Sequence, residues 1–534
     1  MFEGRTVFVN NEQRSKTQTP PTPQSYRWRW AVLAVVLAAE VMDLLDATII
    51  AIAGPSVRAD LGGGTAFLQW LAAGYTLAFA VGLVTGGRLG DIFGRRAMFL
   101  TGAAGFTLMS LLCAVAPGPA WLVAARVLQG LFGAVLIPQG LGLIKAAFPP
   151  DQLGAAFGAF GPVMGLSAVC GPILAGALVD ADLFGTGWRM IFLVNLPVGV
   201  AALAGAALVL PRAADRDRSL RLDLPGTALL GGALLLLVFP LVQGRELGWP
   251  WWCWAAMAAS VPALWAFARY ERGRVRSGRT PLVEPSLLAK RRFNAGLLVG
   301  LIFFAGLMGL TLIISVYLQS GLGWSPLRAG LAQSPWAFGT AVGAVAAQAL
   351  GARFGGRRLL VAGTAVVALG AAALLATLAA TGGTASGGTG SGGTASAWPL
   401  VPALLVLGIG MGASMAPYFD IVLAAVDEHE VGSASGTLTA AQQIGGAIGV
   451  AVLGTAFFSW VGSGFTVSLE RVLWLEIGLL ALAGALCFLL PARAREEPPG
   501  GDGAQPPAGD GAEPPAEDGV TAGAQGTPAA TVAG

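Results

Sequence analysis

Charge is what this sequence has least of. Only 11% of its 534 residues are Asp, Glu, Lys or Arg, whereas 55% are hydrophobic. Soluble domains carry about 25% charged residues. So little polar surface cannot cover several water-soluble cores, which points to a polytopic membrane protein. Histidine is almost missing. The one copy, His429, stands in VDEHEVG with no Cys or second His beside it, a poor metal site. The four cysteines, Cys113, Cys170, Cys253 and Cys487, all lie in apolar runs and read as buried thiols rather than disulfides or ligands. No Gly-Lys-Ser/Thr phosphate loop occurs, and no large polar segment could fold around a nucleotide. No metal, cofactor or nucleic-acid partner is expected. Residues 1–26 are polar and lack the short apolar core of a cleavable leader, so the first apolar segment is expected to stay as a membrane helix.

What is present is a series of long apolar runs. Fourteen approach the roughly 20 residues needed to cross hydrocarbon. They are 31–53, 66–86, 97–116, 119–144, 153–179, 188–210, 223–243, 249–268, 293–319, 326–350, 359–381, 398–426, 433–461 and 471–491. With the N-terminus in the cytoplasm, inner segments hold 26 of the 32 Lys and Arg residues, eight of them in 269–292. This bias predicts fourteen spans in the cell membrane with both termini cytoplasmic. TGGTASGGTGSGGTAS, at 381–396, reads as a flexible outer linker. The tail after Arg495 repeats GDGAQPPA and GDGAEPPA and reads as disordered.

Several charges sit where lipid should exclude them. AEVMDLLDATIIAI places Glu40, Asp43 and Asp46 in the first span, where each could cost roughly 2.5–3.5 kcal/mol to insert. Steps of three residues turn about 300° each, so the trio covers roughly 120° of one helix face. All three are expected to look into a cavity and to exchange protons or bind a cation. Arg126, in RVLQG, lies inside the fourth span. Asp46 and Arg126 are each seven residues from the outer end of their spans, about 10 Å deep, so they are expected to interact. In APYFDIVLAA, Tyr418 and Asp420 are candidates for the cavity wall from the second half. Glu476 is expected at the membrane interface. The outer pair Asp180 and Asp182, in DAD, is too short a match to argue for a membrane-embedded enzyme.

Seven stretches carry a family resemblance. GGRLGDIFGRR, joining spans two and three, has Gly87, Leu89, Gly90, Asp91, Gly94, Arg95 and Arg96 in place. It resembles the signature loop of the major facilitator superfamily, with Ile92 where Arg or Lys is frequent. ALGARFGGRR, at 349–358, is a weaker echo in the second half, as an internal repeat predicts. RVLQG resembles the family's motif linked with proton coupling. In span five, Gly165, Pro172 and Gly176 belong to a small-residue stripe that favours close helix packing, and GPILAG, which begins at Gly171, resembles the antiporter motif. The order of these stretches, with LLDATIIAIAGPSV, QWLAAGYTLAFA and WRMIFLVNLPVG, is similar to the fourteen-helix drug:proton antiporters.

The resemblance implies an all-α major facilitator fold. Two pseudo-symmetric six-helix bundles, 31–211 and 293–491, would flank two inserted helices at 212–292. Residues 1–30 and 492–534 would be a cytoplasmic segment and tail. It implies proton-coupled efflux of small lipophilic cations by a monomer, with Asp46 and Arg126 in the coupling and the signature loop as the conformational switch. A proton symporter or facilitator for a nutrient, and an exporter of lipid or cell-wall precursors, remain alternative readings.

Overall fold

A computed structural model describes residues 26–149, 152, 156, 163, 167, 170–211, 222–279, 281–380, 397–424, 426–427 and 431–490. Residues 1–25, the 381–396 linker, His429 and the tail lie outside these residues. Among the described residues there are helices and turns and no strands. That is the expected outcome for apolar segments in lipid, where a helix satisfies its own backbone groups.

In chain order the helices are α1 (Arg29–Leu61), α2 (Thr65–Phe93), α3 (Arg95–Ala114), α4 (Pro119–Ala147), α5 (Cys170–Asp180) and α6 (Gly187–Val209). Then come α7 (Leu224–Gln243), α8 (Trp251–Arg276), α9 (Arg291–Gly321), α10 (Pro326–Phe354), α11 (Gly356–Ala380), α12 (Trp398–Leu423), α13 (Val431–Trp460) and α14 (Phe465–Leu486). Eleven are long and apolar enough to cross a membrane. The chain is therefore a multi-pass helical membrane protein. Eleven of the expected fourteen are met among the described residues; α1 has the length and apolarity but carries Glu40, Asp43 and Asp46, α10 has the length without the apolarity, and only eleven residues of α5 are described continuously.

The packing repeats. In the first half α4 lies between α2 and α3, and α6 packs on α1 and α3. In the second half α12 lies between α10 and α11, and α14 packs on α9 and α11. Glycines set the closest approaches. A Cβ at Gly130 of α4 would lie 2.5 Å from the Tyr75 carbonyl oxygen of α2. One at Gly339 of α10 would meet Ile409 of α12 at 3.0 Å. Such helix pairs gain dispersion contact that lipid would otherwise supply. The inserted pair, α7 and α8, packs together and against α2 and α13.

Two details differ from expectation. Cys170 is exposed, unlike the other three cysteines, which are buried. Glu476 is fully buried rather than interfacial. At the α1–α2 turn, Asp60 accepts hydrogen bonds from the Trp188 indole (2.9 Å) and from Arg189 (2.7 Å). These donors hold its carboxyl below the usual carboxylate range. The tether is thus complete above about pH 4 and is lost as pH falls further.

Gly130→Val is expected to force α2 and α4 apart at a cost of about 1–3 kcal/mol, read as a lower thermal transition of detergent-solubilised protein. Gly436→Ala, where an added Cβ meets nothing within 4 Å, should not lower that transition, since alanine is the better helix former.

Candidate functional site

The first-span acids have three different fates. Asp46 is 2% exposed and ion-paired with Arg126, itself 0% exposed. The other Asp46 oxygen accepts from Gln129 Nε2 and from Asn195 Nδ2, both at 2.9 Å. Gln129 also donates to Ser110 Oγ at 2.8 Å and accepts from Arg126 at 2.9 Å. The Arg126 guanidinium lies 4.3 Å from the centre of the Tyr75 ring, a cation–π contact. α1, α2, α3, α4 and α6 therefore converge on one buried polar cluster. Of these partners Gln129, Tyr75 and Asn195 lie in the stretches RVLQG, QWLAAGYTLAFA and WRMIFLVNLPVG but were given no role there, and Ser110 lies in none. Their signal was a hydrogen-bonding side chain inside an apolar run.

Asp43, one turn from Asp46, accepts a hydrogen bond from the Tyr75 hydroxyl and lines a cavity of about 310 Å³. That is the low end of the range for small-molecule sites. Helices of both halves form its wall. Asp43, Thr48, Tyr75, Thr76 and Arg126 come from the first; Met308, Gln333, Trp336, Thr340, Met411, Gln442 and Gln443 come from the second. Pro172 of α5 also lines it. Asp43 and Arg126 are the charged residues on the described wall.

Three residues expected at this cavity are elsewhere. Glu40 is half-buried beside Gly140 of α4 and does not line it. Six residues separate it from Asp46, about 9 Å along the helix. Tyr418 is 3% exposed and packs inside the second half against Gly300 and Phe304. Asp420 is exposed. Two residues turn a helix about 200°, so Tyr418 and Asp420 cannot share a wall.

The cavity is capped toward the α1–α2 turn by hydrogen bonds between the halves. Pro55 has no N–H, so the carbonyl of Ala51 loses its helical donor. Ser315 Oγ of α9 donates to that carbonyl at 2.5 Å. Gln319 Nε2 donates to the next one, Ile52, at 2.7 Å. Gln69 Nε2 of α2 donates to the Val450 and Ala451 carbonyls of α13 at 3.2 and 3.1 Å. The Leu327 N–H donates to Asp180 at 3.2 Å. In α5, Gly176 faces Leu327 and the Pro172 backbone faces Gly330, both of α10. Gly171 lies against Thr48, and Gly165 lies outside the described residues. Asp182, the other acid of DAD, accepts from the Gly187 N–H at 2.6 Å.

At the opposite end lies the signature loop. Gly94 has φ +96°, a conformation costly for other residues, and it turns the chain from α2 into α3. Gln139 of α4 reaches the Gly86 carbonyl at 2.8 Å, over Gly90. Gly87 faces Pro138. Asp91 pairs with Arg95 within the loop at 3.2 Å, while Arg96 donates to the Ala207 carbonyl of α6 at 2.6 Å. Arg88 is half-buried and faces Glu271 and Asp223 of the inserted pair; burial draws its guanidinium below its usual range and those acids oppose the shift.

Three kinds of comparison bear on this arrangement. The sequence profile of the Major Facilitator Superfamily matches residues 36–450. A Streptomyces coelicolor protein named "Probable actinorhodin transporter" is 52% identical over 88% of this chain and 79% of its own length. "Puromycin resistance protein pur8" of Streptomyces alboniger is 41% identical over 80% of this chain and 81% of its own. "Tetracenomycin C resistance and export protein" of Streptomyces glaucescens is 34% identical over 82% and 77%. Among solved structures, a D-xylose–proton symporter superposes with a TM-score of 0.60 at 14% identity, over 87% of this chain and 98% of that one. A POT family transporter bound to a thioalcohol-conjugated peptide gives 0.62 at 14%, over 85% and 95%. At such identity these two structures speak for the fold alone.

Because a buried charge without its partner typically costs about 3–5 kcal/mol, Asp46→Leu or Arg126→Met alone should sharply reduce the yield of folded, monodisperse protein in detergent. The double variant should recover part of that yield. Asp43→Asn, outside the ion pair, should fold like the wild type.

Proposed function

Since the chain belongs to the major facilitator superfamily, and is thus a membrane transporter, we propose that it exports small lipophilic toxic molecules in exchange for protons by alternating access. Asp43 carries this reading: a carboxyl on the wall of a cavity built by both halves, held by one tyrosine and backed by a saturated ion pair. Asp43 is the exchangeable acid in this proposal. Asp46 and Arg126 serve the coupling by fixing Asp43 and Tyr75 in place. The relatives named for antibiotic export and resistance support the outward direction of transport.

A cationic substrate suits the wall. Asp43 supplies negative charge when its proton leaves, and Trp336 supplies an aromatic face. Proton and substrate then displace one another without further machinery. Residues 31–211 and 293–491 act as the two moving halves, with 212–292 as an insertion. The repeated packing pattern supports this division. Both termini face the cytoplasm, so the capped end is external and the conformation is inward-facing. Gly87, Gly90, Asp91, Gly94, Arg95 and Arg96 form the switch loop, and Gly171, Pro172 and Gly176 let α5 slide on α10. The monomer is the working unit.

The direct test is expression in a drug-sensitive host challenged with cationic, neutral and anionic toxins, followed by ethidium uptake into inverted vesicles. Uptake should require an imposed pH gradient and stop when nigericin collapses it. Asp43→Asn should cut gradient-driven uptake at least tenfold at normal protein levels; unchanged uptake would remove Asp43 from the coupling. With Cys170 replaced by alanine, Ser315→Ala with Gln319→Ala should make a Cys introduced at Ala72, on the cavity wall beneath the cap, more reactive toward an impermeant maleimide added from outside.

A further inference from the structure

The second half holds an acid that the cavity does not use. Glu476, twelve residues into α14, is 0% exposed, and neither carboxylate oxygen has a hydrogen-bond partner. Its carboxyl lies against Gly306 of α9, where an added Cβ would come within 2.8 Å of the carboxyl carbon. α14 packs against α9, α11 and α13, and among the described residues none of these helices turns a charged side chain toward Glu476. Tyr418 of α12, also buried with an unpartnered hydroxyl, lies against Gly300 of the same α9. An unpaired carboxylate in such surroundings carries a heavy desolvation penalty. The pocket accommodates the neutral acid.

We propose that Glu476 is a second proton-binding site, in the half that lacks the Asp46–Arg126 cluster, and that α9 links it to closure of the capped end. This rests on the proton-coupled reading above. α9 supplies the physical connection. Leu307 and Met308, next to Gly306, line the cavity. Ser315, nine residues beyond Gly306 and about 14 Å along the helix, donates to the Ala51 carbonyl, and Gln319 to that of Ile52. With its O–H bond intact, Glu476 packs flat on Gly306 and α9 stays seated against α1. When that bond breaks and the proton passes to water, the carboxylate is expelled from the apolar pocket. α9 then shifts relative to α14 and the Ser315 and Gln319 hydrogen bonds release. One proton is taken up on closing and one is given back on opening.

The test uses the full chain with its four cysteines replaced by alanine and spin labels at Ala59→Cys and Ser459→Cys, on opposite halves at the capped end. In wild-type background, raising the pH should convert a short inter-label distance into a longer one. Glu476→Gln, permanently neutral, should lose that conversion and keep the short distance. Glu476→Leu, which needs no polar partner, should do the same and should not lower the thermal transition. Asp43→Asn should retain the conversion. Opening of Glu476→Gln and Glu476→Leu at the wild-type pH would overturn the assignment, as would a wild type that never opens between pH 5 and 10. Ethidium uptake in inverted vesicles separates the two levels. Loss of gradient dependence there removes proton-coupled export, whereas intact gradient-driven uptake with a pH-independent capped end removes only Glu476.

Discussion

The buried pair of Asp46 and Arg126 constrains everything around it. A guanidinium cannot stay inside a low-dielectric bundle without an anion, and the anion's remaining lone pairs need donors. Those donors come from α4 and α6, with Ser110 of α3 one step further and the Tyr75 ring of α2 against the cation. Five helices are thus fixed in depth and rotation by one charge pair. Apolar packing alone would not achieve this, because Leu and Val side chains slide past lipid-like neighbours at little cost. The pair is a poor candidate for an exchanging site for the same reason: both Asp46 oxygens are committed. Asp43 has a single partner and an open cavity beside it.

The contacts between the halves are of a different kind. Most are neutral hydrogen bonds to backbone carbonyls, each typically worth about 1 kcal/mol, and one runs from the Leu327 N–H to the Asp180 carboxylate. A few such bonds are weak enough for the opening that the proposed alternating access requires. Pro55 gives this closure its sequence origin. A proline in the C-terminal third of α1 frees one carbonyl, and the other half supplies Ser315 to meet it. Cohesion within the first half rests on a buried ion pair, and most of the cohesion between halves rests on amides and hydroxyls.

Depth was legible in the sequence and direction was not. Counting residues from the ends of two spans put Asp46 and Arg126 in one layer, and they are ion-paired. The fold class was legible from apolar length, charge placement and the signature loop, since GGRLGDIFGRR needs its glycines for the turn at Gly94 and for Gln139 to reach Gly86. Azimuth fails because a 100° step makes small errors decisive. Tyr418 and Asp420 were assigned together yet point apart. Glu476 was misplaced for another reason: the apolar run starts near 471, but α14 starts at Phe465 with polar residues in its first turns. Those extra turns move Glu476 from the edge of the span to its middle. Gln333, Gln442 and Gln443 carried no motif, and only tertiary packing brings them to one wall.

Three carboxyls within seven residues of α1 thereby answer to three surroundings. Glu40 sits half-buried beside a glycine of α4, Asp43 meets the cavity, and Asp46 is sealed into the charge pair. Their chemistry is set by which helix comes near, which in turn depends on where glycine lets it approach. Gly140 admits Glu40, and Gly133, where an added Cβ would come within 3.1 Å of Asp43 Oδ1, leaves room for that carboxyl beside Phe79. In the second half Gly306 does the same for Glu476. An acid can be kept inside this bundle wherever a glycine on the facing helix makes space for it, and the space is neutral unless a cation has been built in as well. Arg126 is that cation in the first half; the second half builds none against Glu476 among its described residues. That asymmetry lets two structurally related halves hold a permanent charge on one side and a neutral acid on the other.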